Sequence, residues 1–394
     1  MSLSPTLNRS APPTAGDGAL AARLKHEIEG EVLFDTFSRG RYSTDASIYR
    51  IEPIGVVVPR SEDDIIRAIQ VAVDAGVPVL PRGAGTSQCG QTVGRALVVD
   101  VSKHLNGILD FDPEARRATV QPGLVLDRLN AYLKPHGLFF PVDVSTSAQA
   151  TIGGMAGNNS CGARSIRYGN MVHNVHAIDA VLADGSPVHL GPVPADLGAV
   201  EDDGRALDLV RRMRLLGERE ADEIARRFPK LLRRVGGYNI ETISPQGHNM
   251  AHLLVGSEGT LGFFRRIEVD LQPIPPHKVL GVCHFPTFYQ AMEMTRHIVA
   301  LEPAAVELVD RTMIDLARDI AAYRPTIEAF VEGAPDALLL VEFAGENGDE
   351  QARRLADLVA LMADHGFPGA VKEITDAPLQ GRIWAVRKAG LNIM

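Results

Sequence analysis

A short apolar run, Val77-Pro78-Val79-Leu80, passes directly into Pro81-Arg82-Gly83-Ala84-Gly85-Thr86-Ser87-Gln88-Cys89-Gly90. A strand that empties into such a loop constrains its surroundings. Three glycines in ten residues let the backbone enter φ > 0 and approach a ligand closely, while Arg82, Thr86 and Ser87 add a cation and two hydroxyls. That is the chemistry of a phosphate cradle. The common cradles nevertheless fit badly. Gly85 and Gly90 have the Walker A glycine spacing, but Gln91 stands where the phosphate-binding lysine belongs. Gly83-Ala84-Gly85-Thr86-Ser87-Gln88 lacks the last glycine of a dinucleotide fingerprint.

The flanking sequence places the loop in a βαβ unit. Ile54 to Val58 reads as a buried strand, and Ser61 with Asp64 opens a helix that runs to about Ala75 with Ile65, Ile66, Ile69 and Val73 on one face. Gly76 stops it. The loop then lies at the carboxyl end of the second strand, where open α/β sheets hold ligands. Leu97 to Val101 supplies another strand.

A second unusual stretch runs from Pro141-Val142-Asp143 through Thr151-Ile152-Gly153-Gly154 and Asn158-Asn159-Ser160-Cys161-Gly162 to Tyr168-Gly169. It is long, small-residued and rich in donors, which marks a loop as functional or disordered. Its small residues suit close contact with a flat cofactor. Val175 to Leu182, Asp184-Gly185 and Pro187 to His189 form a hairpin pattern, and residues 196–235 read as charged and helical. A third glycine turn follows the apolar run Leu253-Leu254-Val255, read as a strand: Gly256-Ser257-Glu258-Gly259-Thr260-Leu261-Gly262. It is not the G-x-S-x-G nucleophile elbow, which excludes serine hydrolysis there.

Beyond Pro273 to Pro276, strands at Val279–Phe285, 305–309 and 338–343 alternate with helices at 288–301, from Arg311, and at 349–365. This predicts a second α+β domain. The chain closes on Gly390-Leu391-Asn392-Ile393-Met394 without a helix stop, which reads as a cut inside that domain. The implied division is an N-terminal arm (1–40), a first domain (41–276) and an incomplete second one (277–394).

A net charge of -9 argues against a nucleic-acid partner. Three cysteines without a CxxC pair form neither a disulfide framework nor a zinc or iron-sulfur site, and with no signal pattern they suit the cytoplasm. Attachment to the inner membrane through a partner stays open. His173 and His176 read as lying on one strand with rings on opposite faces, so no metal site is expected in this chain.

Taken in order, Pro81-Arg-Gly-Ala-Gly-Thr-Ser87, Thr151-Ile-Gly-Gly154 with Cys161-Gly162 and Tyr168-Gly169, and Val255-Gly-Ser-Glu-Gly-Thr-Leu-Gly262 resemble the FAD-linked oxidases of the vanillyl-alcohol oxidase type. Among these the chain is most similar to the D-2-hydroxy acid dehydrogenase branch, which includes D-lactate and D-2-hydroxyglutarate dehydrogenases and the D subunit of glycolate oxidase. The resemblance implies an α+β architecture: a PCMH-type FAD-binding domain of two α+β subdomains, then a cap domain with an antiparallel sheet. By the same resemblance Pro81, Arg82, Gly83, Ala84, Gly85, Thr86 and Ser87 would bind the pyrophosphate. Pro141, Asp143, Thr151, Ile152, Gly153, Gly154, Asn158, Ser160, Cys161 and Gly162 would line the isoalloxazine and ribityl side. Glu258, Gly259 and Ile267 would lie near the other end of the cofactor.

Some members attach the flavin through a histidine in the first loop. None is present here, which implies a non-covalent FAD. The resemblance further implies oxidation of a small D-2-hydroxy acid by hydride transfer to flavin N5, with Arg387, in Trp384-x-x-Arg387, as the cation for the substrate carboxylate. A quinone, a cytochrome or an iron-sulfur protein would take the electrons. The histidine-rich H-x-G-D-G-x-x-H motif and the iron-sulfur domain of longer members do not occur in these residues, so a divalent metal or a cluster would belong to a C-terminal part beyond them. Oxidation of another alcohol, such as a sugar lactone or aryl alcohol, and a non-catalytic FAD-binding subunit are the competing readings.

Overall fold

The computed structural model describes residues 13–197, 204–231 and 233–393; the first twelve residues of the predicted arm, part of the charged 196–235 segment and the terminal Met394 lie outside that set. The architecture is α+β, built on three principal sheets.

The first sheet has the order Glu31–Leu33, Gly55–Val58, Leu97–Asp100, Val79–Arg82. Its last three strands are parallel, as the βαβ reading requires. Residues 97–100 and 55–58 are buried throughout, which is why they read as continuous apolar runs rather than alternating ones. The crossover helix Glu62–Asp74 begins where Ser61 Oγ accepts the Asp64 N–H at 3.1 Å, and Gly76 ends it at φ +65. Asp64 is itself buried, its carboxylate accepting the Glu29 and Arg60 N–H groups at 2.8 Å each. Part of the arm belongs to this layer: Leu20, Leu24 and Ile28 share a core with Ile54, Ile65 and Leu97.

The second sheet is antiparallel, ordered Ile108–Asp112, Arg117–Val120, Phe263–Asp270, Val175–Val181, Pro187–Leu190. The predicted hairpin is its edge, with Val181 opposite Pro187. Two readings are corrected. Leu253 and Leu254 lie in a one-turn helix, Ala251–Leu254, not a strand; Asn249 Oδ1 accepts the Ala251 N–H at 2.9 Å, and a short buried apolar run carries no periodicity to separate the two forms. His173 closes a 3-10 turn, Met171–His173, ahead of the strand that holds His176.

The C-terminal domain has an antiparallel sheet ordered Ala305–Asp310, Ala337–Gly345, His277–Phe285, Val371–Ile374. Alternation along Ala337–Gly345 separates two cores. Leu338 and Leu340 pack with Met313, Ile327, Ile383 and Val386, whereas Leu339, Val341 and Phe343 pack with Met294, Leu355 and Leu358. Glu342 falls on the first of these faces and is 2% exposed. Among the described residues no helix is long and apolar enough to cross a membrane.

Candidate active site

The three glycine-rich stretches, which lie far apart in sequence between Pro81 and Gly262, pack against one another. A Cβ on Gly83 would stand 2.2 Å from Thr151 Oγ1, and one on Gly259 would stand 3.0 Å from Pro81. The Gly256 and Glu258 N–H groups donate to the carbonyls of Ala156 and Gly157, each at 2.9 Å. These contacts enclose one cleft. One part of it is lined by Pro81, Arg82, Gly83, Gly153, Gly154, Gly157, Glu258 and Gly259. The adjoining part is lined by Gly83 to Ser87, Val144, Thr146, Thr151, Gly154, Asn158 and Ser160.

Each wall has a local cause. Gly85 sits at φ +68 and turns the first loop. The segment from Thr151, read from sequence as a loop, contains the helix Ile152–Gly157, whose first turn is capped by the Thr151 hydroxyl accepting the Gly154 N–H at 3.3 Å. Ile152, Met155 and Ala156 bury its inner face, so its glycines front the cleft. Glu258 holds φ +53, and burial raises its carboxyl above the usual glutamate range against an opposing hydrogen bond from Gln91.

The expected side chains are held in different ways. Arg82 stands against the back of the loop, beside Gly85: its guanidinium donates to the carbonyls of Thr92 (3.1 Å) and Thr44 (2.8 Å), and its carbon lies 5.3 Å from the centre of the Tyr42 ring. Burial lowers its pKa below the ordinary arginine value, against the nearby Asp100. Its charge therefore braces the loop from behind. Ile267 is fully buried in the core of the second sheet, opposite Val120 and Ile178, so its side chain does not reach the cleft. Pro141 is buried and Cys161 half-buried. Ser160 donates to Asn158 Oδ1 at 2.6 Å. Arg387 is ion-paired with Glu307 at 2.6 Å.

Asp143 leads to residues that no local pattern identified. It pairs with Arg164 at 2.9 Å, and Arg164 also pairs with Glu342 of the C-terminal sheet at 3.0 Å. Burial pushes the Asp143 carboxyl above the usual aspartate range, with Arg164 opposing. For Arg164 burial acts to lower the pKa, but Glu342 and Asp143 together outweigh it and hold the guanidinium charged.

The cleft fits a flavin dinucleotide. Among the described residues, the backbone N–H groups of Gly83 to Ser87 have no protein acceptor, and a run of free N–H groups around a positive-φ glycine is an anion-binding concavity. A Cβ on Gly162 would stand 2.3 Å from the Asp143 carbonyl oxygen, so small residues are required where the second stretch closes the cleft.

Comparison with known proteins agrees. The family described as FAD binding domain matches residues 53–191, and that described as FAD linked oxidases, C-terminal domain, matches residues 274–394. The chain is 32% identical to the D-2-hydroxyglutarate dehydrogenase of Pseudomonas putida, over 98% of this chain and 40% of that protein. Identity to the glycolate oxidase subunit GlcD of Bacillus subtilis is also 32%, over 75% of this chain and 54% of that one. The chain thus spans about two fifths of the length of the dehydrogenase it matches. The structure of an alkyldihydroxyacetonephosphate synthase shares the fold, with a TM-score of 0.69 at 18% identity over 98% of this chain and 65% of that one. The order of the glycine stretches, the cleft they form and the two matching domains show that the chain belongs to the FAD-linked oxidases, with FAD as its cofactor.

Proposed function

We propose that the chain is the flavin-binding portion of a dehydrogenase that oxidises a small D-2-hydroxy acid. The observation that carries this reading is the convergence of Gly83 to Ser87, Gly153 to Ser160 and Glu258-Gly259 on one cleft, in a chain about 30% identical to D-2-hydroxyglutarate dehydrogenases over most of its length. When bound, FAD supplies the two-electron acceptor for the hydride that leaves the α-carbon. The free N–H groups of residues 83–87 would hold its diphosphate. The stretch from Asp143 to Gly162 would shape the space for the flat ring and keep water from it, and Glu258 with Gly259 would close the opposite wall.

A substrate carboxylate needs a fixed cation, and a guanidinium offers paired donors in one plane. Arg387 would serve. Nε and Nη2 are given to Glu307, which fixes the group in place, while Nη1 has no partner among the described residues. Lys388, next along the helix, donates to Ser147 Oγ at 3.2 Å and so keeps this helix against the cofactor loop. We place the chain in the cytoplasm, with its electrons passing to a quinone, a cytochrome or an iron-sulfur protein.

The test is an absorbance spectrum of the purified chain before and after acid precipitation, then anaerobic addition of D-lactate, D-2-hydroxyglutarate and glycolate. Flavin bands that move into the acid supernatant, and bleach with one of these acids, are expected. A chain that takes up no flavin on reconstitution would end this reading.

A further inference from the structure

A buried charged cluster joins the two domains. Arg164 holds Asp143 through its backbone N–H at 3.0 Å and Nη1 at 2.9 Å. Nε and Nη2 hold the two carboxylate oxygens of Glu342, each at 3.0 Å. The guanidinium carbon lies 5.3 Å from the centre of the Trp384 ring. Side-chain exposures of 20%, 17% and 2% for Arg164, Asp143 and Glu342 place the three largely out of water.

Such a cluster is a poor choice for stability alone. Desolvating each ion costs several kcal/mol, and apolar residues of similar volume commonly hold an interface as well or better. Ions offer orientation instead, because a forked guanidinium meets a carboxylate in one plane and one register. Both ends of this cluster lead to the site. Gly162 leaves no room for a Cβ against Asp143, so the segments around 143 and 162 are locked together where they would face the flavin ring. Trp384 stands one helical turn before Arg387 in the helix Ala377–Ile393.

We infer that Arg164 is a positioning residue, setting the register of the C-terminal domain over the cofactor cleft so that a substrate held by Arg387 meets the flavin at a fixed distance and angle. This rests on the proposed reading of the cleft. Misplacement by about 1 Å can cost on the order of 100-fold in rate, so the consequence belongs in the rate of flavin reduction.

The experiment uses the full FAD-loaded chain as wild type, Arg164→Gln, Arg164→Lys and Glu342→Gln. Flavin reduction by D-2-hydroxyglutarate and D-lactate is followed by anaerobic stopped flow, with dithionite reduction, flavin content and Tm measured alongside. Arg164→Gln is expected to reduce about 10- to 100-fold more slowly per bound flavin at saturating acid, with dithionite reduction unchanged and Arg164→Lys intermediate. Glu342→Gln, which leaves the Arg164–Asp143 pair intact, should slow reduction in the same sense and decides the matter if Arg164→Gln does not fold. Variants that reduce at the wild-type rate per bound flavin, with only Tm or flavin content lowered, would make the cluster a structural tie and overturn the inference. A wild-type chain that binds flavin but is reduced by neither acid would instead remove the substrate reading, and the inference with it.

Discussion

Arg387 directs two N–H groups, Nε at 3.0 Å and Nη2 at 2.6 Å, onto a single carboxylate oxygen of Glu307. The helix Ala377–Ile393 and the strand Ala305–Asp310 are thereby joined at a charged contact, not only through their apolar faces. A substrate carboxylate at this point would share the guanidinium with Glu307. Arg387→Ala is expected to leave flavin absorbance intact and to lower kcat/KM for the acid by on the order of 2 to 4 kcal/mol of transition-state binding. Steady-state kinetics with D-2-hydroxyglutarate and D-lactate measure this, and an unchanged kcat/KM would place the substrate carboxylate elsewhere.

Gly83 and Thr151 are in van der Waals conflict with any side chain at position 83, since its Cβ would stand 2.2 Å from the Thr151 hydroxyl. Gly83→Ala is therefore expected to open the contact between the first two stretches and weaken flavin retention, read from the ratio of flavin to protein absorbance. With Thr151→Ala added, the nearest remaining atom is Thr151 Cβ at 3.4 Å, an ordinary contact. The double variant should then regain flavin, less about 1 kcal/mol of stability for the lost helix cap. Equal losses in single and double variants would show that the loop tolerates no side chain for some other reason.

Gly85 is constrained by its backbone. At φ +68, with a Cβ that would meet Arg82 Nη2 at 2.7 Å, Gly85→Val is strained both by conformation and by contact. The variant is expected to lose flavin and to show a lower Tm by differential scanning fluorimetry. A yellow protein of wild-type Tm would mean that the loop can re-form without its left-handed residue.

His252 supplies a pH dependence. Burial lowers its pKa to about 4 from the ordinary 6.5, with the Val175 carbonyl and Asp270 opposing and His173 and His176 reinforcing. The folded state binds a proton less readily than the unfolded chain. Stability from this group is thus fully present above about pH 6.5 and falls between there and about pH 4, by at most about 3 kcal/mol. His252→Phe should flatten that part of the stability curve, measured by urea unfolding at pH 7.5, 6 and 5. Parallel curves for the two proteins would assign the acid sensitivity to other groups.

Much of the fold was legible from local pattern. The buried runs at 55–58, 97–100 and 338–343, the Ser61 cap and the Asp184-Gly185 hairpin each carry their signal within a few residues, because apolar runs, helix caps and turn chemistry are short-range properties. The same holds for the glycine stretches, whose backbone needs are written in the residues themselves. The segment 152–157 reads as a loop because its glycines mask the apolar spacing of Ile152, Met155 and Ala156, which only the structure shows to be one buried helix face.

Where the backbone must turn and where it must come close to a ligand are local properties, written in the glycines and their neighbours, and the order of the three stretches carries the resemblance that implies FAD. Which charge meets which is settled by packing. Arg82, a natural phosphate cation by composition, faces three backbone carbonyls; Ile267, one residue among the alternating positions of its strand, faces the core. Arg164 finds Glu342, 178 positions away, because two domains are packed face to face. Coulombic and hydrogen-bonding partners are chosen through space, and no periodicity along the chain encodes them.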